Sequence, residues 1–281
     1  MNANTQRAKA IAFRQLHQTP PVLVLPNAWD AVSARIFEQA GFPAIATTSG
    51  GIAALLGYPD GEHISCRQML EMVGRIVDSV SIPVSADMEA GYGRTIEQIA
   101  ETTRRVIDAG AVGLNLEDGT GDADKPLADV AFQVEAIKAV RSAADLASVP
   151  RVLNARTDVF LHANGGETKR LKEAVRRANA YRDAGADSLF IIGLRDPKTI
   201  AQLVREVRGP VNVLAGQGAP AISELEELGV ARVTFGSGLM RATLPLVQRM
   251  AKELRTSGTY ASFAQSEFTH ADVNQLFERR T

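Results

Sequence analysis

Cysteine, aromatic residues and long apolar runs are all scarce in this chain of 281 residues. With Cys66 as the only cysteine, the chain can form neither an internal disulfide nor a thiolate zinc site. Cys66 enters a helical pattern, which favours a packing or surface role over that of a nucleophile. We therefore expect a reducing, cytoplasmic setting.

The sequence also lacks an excess of either charge, because 31 Lys and Arg residues stand against 32 Asp and Glu residues. This balance gives no electrostatic case for a nucleic-acid partner or an anionic membrane surface. No apolar run approaches the roughly 18 residues of a membrane span, and the polar N-terminal region has no signal-peptide core. We expect neither nucleic acid nor membrane among the partners.

Two residue types that often mark barrel active sites are missing from the predicted strands. No strand carries Lys, which disfavours a Schiff-base aldolase. None of the four His residues lies on a strand, which disfavours a His-centred triad or a three-His zinc site. The glycine pairs after the last two strands could cradle a phosphate, but only Arg241 is near them in the sequence to support it.

One sequence pattern repeats along the chain: a helical segment ends in Gly, and a short apolar strand follows. It occurs at Gly41, Gly110, Gly185 and Gly229, and four more strands open after Pro or a Pro-containing turn. Amphipathic helices such as Thr95–Asp108 lie between the strands. Eight such units over about 230 residues predict a parallel (β/α)8 barrel, with a doubly wound open sheet as the alternative.

The last 25 residues fall outside this repeat. We interpret the chain as one barrel domain, 1–281, in which 257–281 forms a C-terminal helical extension. The pattern over Ala271–Arg280 predicts a terminal helix, and Phe263, Phe268 and Phe277 offer apolar contacts for docking it.

Carboxylates gather where two of the apolar strands end. Strand side chains alternate between faces, so Ser85, Asp87 and Glu89 share one face, as do Asn115 and Glu117. If the two strands are neighbours, three carboxylates converge and repel one another unless they take up protons or bind a cation. An all-oxygen ligand set indicates a hard divalent ion, Mg²⁺ before others. Capping of the following helices is the alternative role for these acids.

Other strand ends add groups suited to anions. Ser49, Gly50 and Gly51 precede a new helix and offer N–H groups and a hydroxyl to a carboxylate or phosphate, although a simple tight turn is the alternative. Arg156 shares a face with Asn154 and Asp158, so it points into the barrel mouth and needs an anion there, either the acid cluster or a substrate carboxylate. Asp60 taken by itself is only a turn signature.

Taken together, five motifs identify a family resemblance. They are Thr48-Ser49-Gly50-Gly51, Gly57-Tyr58-Pro59-Asp60, Asp87-Met88-Glu89-Ala90-Gly91-Tyr92-Gly93, Asn115-Leu116-Glu117-Asp118 and Asn154-Ala155-Arg156-Thr157-Asp158. In order and spacing the chain resembles the isocitrate lyase / phosphoenolpyruvate mutase superfamily from about residue 20 to 255. Its length resembles the short branch of 2-methylisocitrate lyase, oxaloacetate decarboxylase and phosphonopyruvate hydrolase.

The resemblance implies a (β/α)8 barrel that holds Mg²⁺, or alternatively Mn²⁺, near Asp87, Glu89 and Glu117. It implies that a small 2-oxo or 2-hydroxy carboxylate lies on the metal, on Arg156 and on the turn formed by Thr48, Ser49, Gly50 and Gly51. It places Asp60 beside the reacting centre, so that Asp60, Glu89 and Arg156 become the candidate catalytic residues. It also implies a homodimer or homotetramer that exchanges a C-terminal helix.

The chain departs from the family pattern where reactions are selected. Glu89 replaces the usual Asp, and the loop at 119–127 has neither the Cys nor the His of the lyases. Only Lys125 could correspond to the Lys of the mutase loop. We therefore expect a Mg²⁺-dependent lyase or decarboxylase that cleaves a C–C bond through a pyruvate-type enolate. The alternatives are a phosphonopyruvate-type C–P hydrolase or mutase, and a non-catalytic 2-oxo-acid-binding protein.

Overall fold

A closed barrel of parallel strands forms the body of the protein. The computed structural model describes residues 3–18, 20–264 and 268–278. The strands, in chain order, are β1 Leu23–Leu25, β2 Asn27–Ala28, β3 Ile45–Thr47, β4 Val84–Asp87, β5 Gly113–Glu117, β6 Val152–Thr157, β7 Ser188–Ile191, β8 Val211–Leu214 and β9 Arg232–Thr234.

Pro26 divides the first barrel strand into two pieces, which is why nine strands build an eight-stranded barrel. β1 pairs with β9 on one side, and β2 pairs with β3 on the other. Proline has no backbone N–H to donate to a neighbouring strand, so the strand is interrupted at this residue. The pairing of β1 with β9 closes the sheet, which confirms the predicted (β/α)8 barrel and shows that the open-sheet alternative was wrong.

Helices surround the barrel, and their bounds agree with the sequence pattern to within a few residues. They are α1 Ala3–Gln15, α2 Ala31–Gln39, α3 Ser49–Leu55, α4 Cys66–Ser79, α5 Ile96–Asp108, α6 Val130–Leu146, α7 Val159–His162, α8 Glu167–Asp183, α9 Pro197–Glu206, α10 Ile222–Glu227, α11 Gly238–Ser257, α12 Ala261–Ala264 and α13 His270–Gln275.

The sequence fixes where these helices begin and end. Thr95 caps α5. Its hydroxyl accepts from the backbone N–H of Gln98, and the side chain of Gln98 accepts in turn from the backbone N–H of Thr95. After α5 the chain turns at Gly110, which has a φ of 87° and is one of the glycines that the repeat predicted. The buried faces of the outer helices then pack on the apolar outward side of the strands.

The N-terminal end of the barrel is closed by α1. Phe13 and Ala10 are fully buried there, in a cluster with Leu23, Ala44 and other residues at the start of the strands. The opposite end, where the strands finish, is left for the loops that carry the candidate site.

The C-terminal segment packs little against the barrel. In α11, only Met240 is buried over 20 residues, while Leu244, Val247 and Leu254 stand exposed. The predicted helix over Ala271–Arg280 is shorter than expected, since α13 ends at Gln275; residues 279–281, like 265–267, lie outside the described ranges. None of the helices in the described ranges has the length and apolar character needed to cross a bilayer.

Candidate active site

The candidate site lies at the C-terminal ends of the strands, in the mouth of the barrel. The neighbouring positions of β4 and β5, which the prediction required, are confirmed, with Asp87 opposite Asn115 in register. Glu117 lies opposite Arg156 on the next strand. Asp60, Asp87, Glu89, Glu117 and Arg156 therefore act on one another electrostatically across one small region.

Asp87 is at the centre of this region and is 8% exposed. Its Oδ2 accepts from both the backbone N–H and the hydroxyl of Ser49, each at 2.9 Å. Its Oδ1 lies 3.4 Å from the side-chain amide of Asn115, which is held in turn by Asn154 at 2.7 Å. These contacts fix the position of the Asp87 carboxylate inside the barrel mouth.

The turn before α3 meets the prediction only in part. The N–H of Ser49 is already used by Asp87, and that of Gly51 donates to the hydroxyl of Thr48, which caps the helix. Gly50, in the second helical position, keeps its N–H available within the described part of the chain. Thr48 and Gly51 therefore shape the turn, while Gly50 is the residue of this turn whose N–H is left for a ligand.

Asp60 reaches the site because Gly50 has no side chain. A Cβ at Gly50 would lie 2.8 Å from Oδ2 of Asp60, which is shorter than the contacts that Cβ atoms make in proteins. Asp60 belongs to an exposed turn, but the protein atoms around its carboxyl group partly desolvate it. This desolvation, followed by repulsion from Asp87, raises the pKa of Asp60 above its usual value.

Glu89 follows β4 in a left-handed conformation, with a φ of 50°. Its direction is therefore set by this turn and not by the strand alternation from which we predicted its face. Its carboxylate accepts from the N–H of Glu62 and from the hydroxyl of Tyr92, both at 2.7 Å. Burial, together with the charges of Asp87 and Asp60, raises the pKa of Glu89 to about 7.

Glu62 and Tyr92 were missed as site residues in the sequence. Glu62 also accepts from the N–H of Tyr92 at 2.7 Å, so the two residues and Glu89 form a closed set of contacts. Both have a positive φ, 57° for Glu62 and 53° for Tyr92. The position of Tyr92 inside the motif that begins at Asp87 was the one signal that the sequence offered.

Arg156 points into the mouth as predicted, and two carboxylates share its guanidinium group. Asp158 accepts from Nε at 2.6 Å and from Nη2 at 2.9 Å, while Oε2 of Glu117 forms an ion pair with Nη1 at 2.7 Å. The ring of Phe190 lies beneath, 5.8 Å from the guanidinium carbon. Burial alone would lower the pKa of Arg156, but the charges of Glu117 and Asp158 outweigh it and raise the pKa.

A fully buried carboxylate, Asp118, holds this arrangement from behind. It accepts from the N–H of Asp158 at 2.9 Å, and from Arg177 and Tyr181 on α8 at 3.0 and 2.7 Å. The sequence placed Asp118 in the acidic motif but did not reveal that its partners come from a helix about 60 residues away. Asp118 is a supporting residue and does not face the mouth.

The acids of the mouth form a suitable ligand set for a hard cation. Burial raises the pKa of Glu117, and the carboxylates of Asp87 and Glu89 add to the rise while Arg156 opposes it. The guanidinium group of Arg156 therefore lies among five carboxylates, those of Asp60, Asp87, Glu89, Glu117 and Asp158, with no thiolate or imidazole in this set. As the side chains stand, no three His, Cys, Asp or Glu residues of the described ranges are grouped closely enough to hold an ion. Direct binding of an ion by three of these acids would therefore need side chains to move from these positions.

The loop at 119–127 folds back on itself and does not supply a group to the mouth. Gly119 and Leu127 form an antiparallel bridge, and Lys125 pairs with Asp129 on the exposed surface. Arg195, a cation that none of the sequence motifs contains, lies instead beside the glycines after β8 and donates to the carbonyl of Gln217.

Cys66 is half-buried at the edge of a separate cleft, next to Thr102. Burial raises the pKa of its thiol, which is the opposite of what activates a nucleophile. The predicted packing role therefore fits its surroundings.

Comparison with known proteins agrees with this geometry. The sequence profile of the phosphoenolpyruvate phosphomutase family matches residues 13–255. The 2-methylisocitrate lyase of Escherichia coli is 29% identical over 276 residues, which cover 95% of this chain and 90% of that enzyme. An uncharacterised protein of Mycobacterium tuberculosis is 36% identical over 228 residues, covering 81% of this chain and 82% of the relative.

A solved structure extends the match to three dimensions. A crystal structure from Burkholderia cenocepacia, with a provisional lyase/mutase designation, superposes with a TM-score of 0.92 at 40% sequence identity. The alignment covers 99% of this chain and 98% of that chain.

Proposed function

Because the chain belongs to the phosphoenolpyruvate phosphomutase family, within the isocitrate lyase / phosphoenolpyruvate mutase superfamily of lyases and mutases, we propose that it is a Mg²⁺-dependent carbon–carbon lyase or decarboxylase. Its substrate would be a small 2-oxo or 2-hydroxy dicarboxylate. The relatives of this chain act on compounds of that kind, which is the starting point for assigning roles to its own residues.

The observation that carries the proposal is the excess of negative charge in the mouth. Asp60, Asp87, Glu89 and Glu117 act on one another there, and among the described residues Arg156 is the one cation that forms an ion pair with any of them. A divalent ion would offset this charge for a dianionic substrate. Asp87, Glu89 and Glu117 would hold a divalent ion, directly or through water, which supplies a Lewis acid for the 2-oxo group of the substrate.

Residues of the chain itself would bind the substrate carboxylate and transfer protons. Arg156 has further N–H groups that contact neither Asp158 nor Glu117, so it can bind a substrate carboxylate or stabilise the negative charge of an enolate. The N–H of Gly50 meets the same carboxylate from the other side. Glu89, with a pKa of about 7, and Asp60 are the groups able to exchange a proton near neutral pH.

Carbon–carbon chemistry is favoured over C–P chemistry by the position of Lys125. A phosphonate needs cationic groups over its three oxygens, and Lys125 is the one candidate that the loop provides. Its ammonium is paired with Asp129, and 59% of its side chain is exposed to solvent. Nothing in the described loop would bring it to the mouth.

The proposal is tested by titrating oxalate, a stable analogue of a small 2-oxo dianion, by calorimetry in excess Mg²⁺ and in excess EDTA. We expect binding only with Mg²⁺, and equal affinity in EDTA would show that the metal assignment is wrong. Turnover of oxaloacetate is then measured against the Asp87→Asn variant, which controls for decarboxylation by free Mg²⁺. Thermal stabilisation by oxaloacetate without turnover would identify a binding protein.

A further inference from the structure

The inward-facing side chains of the barrel stack in layers of four, taken from alternate strands. Following the register downwards from the mouth, the third layer contains Leu25, Ser85, Asn154 and Asn212, and the fourth contains Ala44, Gly113, Ser188 and Arg232. Apolar residues usually fill such layers. Here five of the eight positions are polar, and we call Ser85, Asn154, Ser188, Asn212 and Arg232 the polar floor.

The side-chain contacts agree with this layering. Asn154 donates upwards to Asn115 of the second layer at 2.7 Å, and Asn212 accepts from Thr234 at 3.2 Å. A Cβ at Gly113 would lie 2.6 Å from Oγ of Ser85, which also points inwards. The two smallest residues of the fourth layer, Ala44 and Gly113, share it with the large side chain of Arg232.

Every residue of the polar floor carries a polar atom without a partner. These atoms are Oγ of Ser85, Oδ1 of Asn154, Oγ of Ser188, Nδ2 of Asn212 and all three guanidinium nitrogens of Arg232, judged against the described residues. All five residues are at most 1% exposed. Leaving one buried polar group unpaired costs about 1–3 kcal/mol, so five such side chains together indicate a bound partner other than the described residues.

The guanidinium of Arg232 brings a full charge with it. No carboxylate of the described ranges lies within 4 Å of it. The charged and titratable groups that it acts on lie above and below, Asp87 in the mouth and His17 at the closed end. Burial lowers the pKa of Arg232 to about 9, opposed by Asp87, which leaves the group cationic at neutral pH.

The balance of donors and acceptors distinguishes the kind of occupant. Arg232 offers five N–H hydrogens and the amide of Asn212 two more, whereas the acceptors are one amide oxygen and two hydroxyls. Water donates as often as it accepts and would leave this excess of donors and the charge in place. An anion accepts only, and it neutralises the guanidinium.

We propose that the polar floor binds a small monovalent inorganic anion of the chloride class, next to Arg232 and with ordered water around it. The site is separate from the mouth, and it does not depend on the proposed function. The anion would be a structural ligand that binds the folded barrel and not the unfolded chain.

The test uses bromide as the probe. Protein refolded without halide is crystallised and soaked in sodium bromide, and we expect an anomalous peak within contact distance of the guanidinium of Arg232. Density that fits only water there, with no anomalous signal, would overturn the proposal. This measurement needs no variant, so it remains decisive even if a substitution prevents folding.

Thermal unfolding in solution supplies the second readout. Sodium chloride should raise the melting temperature above that in sodium gluconate of equal ionic strength, by about 4 °C at a hundredfold excess over the dissociation constant. Arg232→Met should abolish the saturable halide effect. Arg151→Met is the matched control, because Arg151 is equally buried but donates to the carbonyls of Thr103 and Ala111. An equal halide response in Arg232→Met and the parent would refute the site.

Discussion

Replacing Arg156 with Lys is the perturbation that best separates a substrate-binding role from a structural one. The change keeps the charge but removes the planar fork, which makes two hydrogen bonds of 2.6 and 2.9 Å to Asp158 and an ion pair of 2.7 Å with Glu117. A Lys ammonium in the same place can approach one of these carboxylates closely, but not both oxygens of Asp158 in the same plane.

The magnitude follows from counting contacts. Each hydrogen bond to a charged group contributes about 1.5–3 kcal/mol, so losing one contact to a bound carboxylate lowers affinity about ten- to 150-fold. Asp158, whose side chain is 4% exposed, also keeps an oxygen without its former donor. The variant should therefore lose both ligand affinity and some thermal stability.

Calorimetric titration with oxalate in Mg²⁺, alongside thermal unfolding, measures both effects. Arg141→Lys is the control, since Arg141 binds Asp187 and the carbonyls of Arg151 and Gly185 away from the mouth and should lower stability without lowering affinity. If Arg156→Lys behaved like this control and kept its oxalate affinity, Arg156 would be structural and our assignment would be refuted.

Four further outcomes are expected. Asp87→Ala should weaken Mg²⁺-dependent oxalate binding more than Glu117→Ala, because Asp87 lies at the centre of the acids; the reverse order in calorimetry would move the ion towards β5. A chain ending at Ser257 should form an oligomer with fewer subunits than the full chain by light scattering, because the exposed apolar residues of α11 and the segment after it need another subunit to cover them. The same number of subunits in both chains would contradict an oligomer built on this segment. Glyoxylate release from isocitrate or 2-methylisocitrate should be negligible, because loop 119–127 holds no Cys or His to protonate the leaving carbanion; rates of about 10 per second would show that another residue serves. The free energy of unfolding should fall as the pH drops from about 6.5 towards 3, because burial holds the pKa of His17 at about 3 in the folded state while the unfolded chain takes up the proton; His17→Gln should reduce this slope in urea titrations, and an unchanged slope would count against it.

The barrel and half of its mouth could be predicted because they follow from local rules. Short apolar strands alternating with helices, four of which end in a Gly stop, give the topology, and strand alternation places Asp87 and Glu117 on the inner face. Arg156 was predicted to need an anion, and the structure supplies two.

The rest depended on contacts between distant segments. The strand rule failed at Glu89, because β4 had ended and a left-handed residue redirects the side chain. The contact from Glu62 comes from a loop 27 residues earlier, and that from Tyr181 to Asp118 spans 63 residues. The polar floor was also missed, since Ser85 and Asn154 were noted only for the face that they share with the acids.

The three left-handed residues around the mouth have a consequence for how this protein would evolve in the laboratory. Each such residue costs about 1 kcal/mol relative to Gly, so Glu62, Glu89 and Tyr92 together are a reserve of easily gained stability. Selection for heat resistance alone should favour Gly or Asn at these positions and discard the side chains that orient the acid. A thermostable lineage that keeps all three would therefore have been held there by selection for turnover.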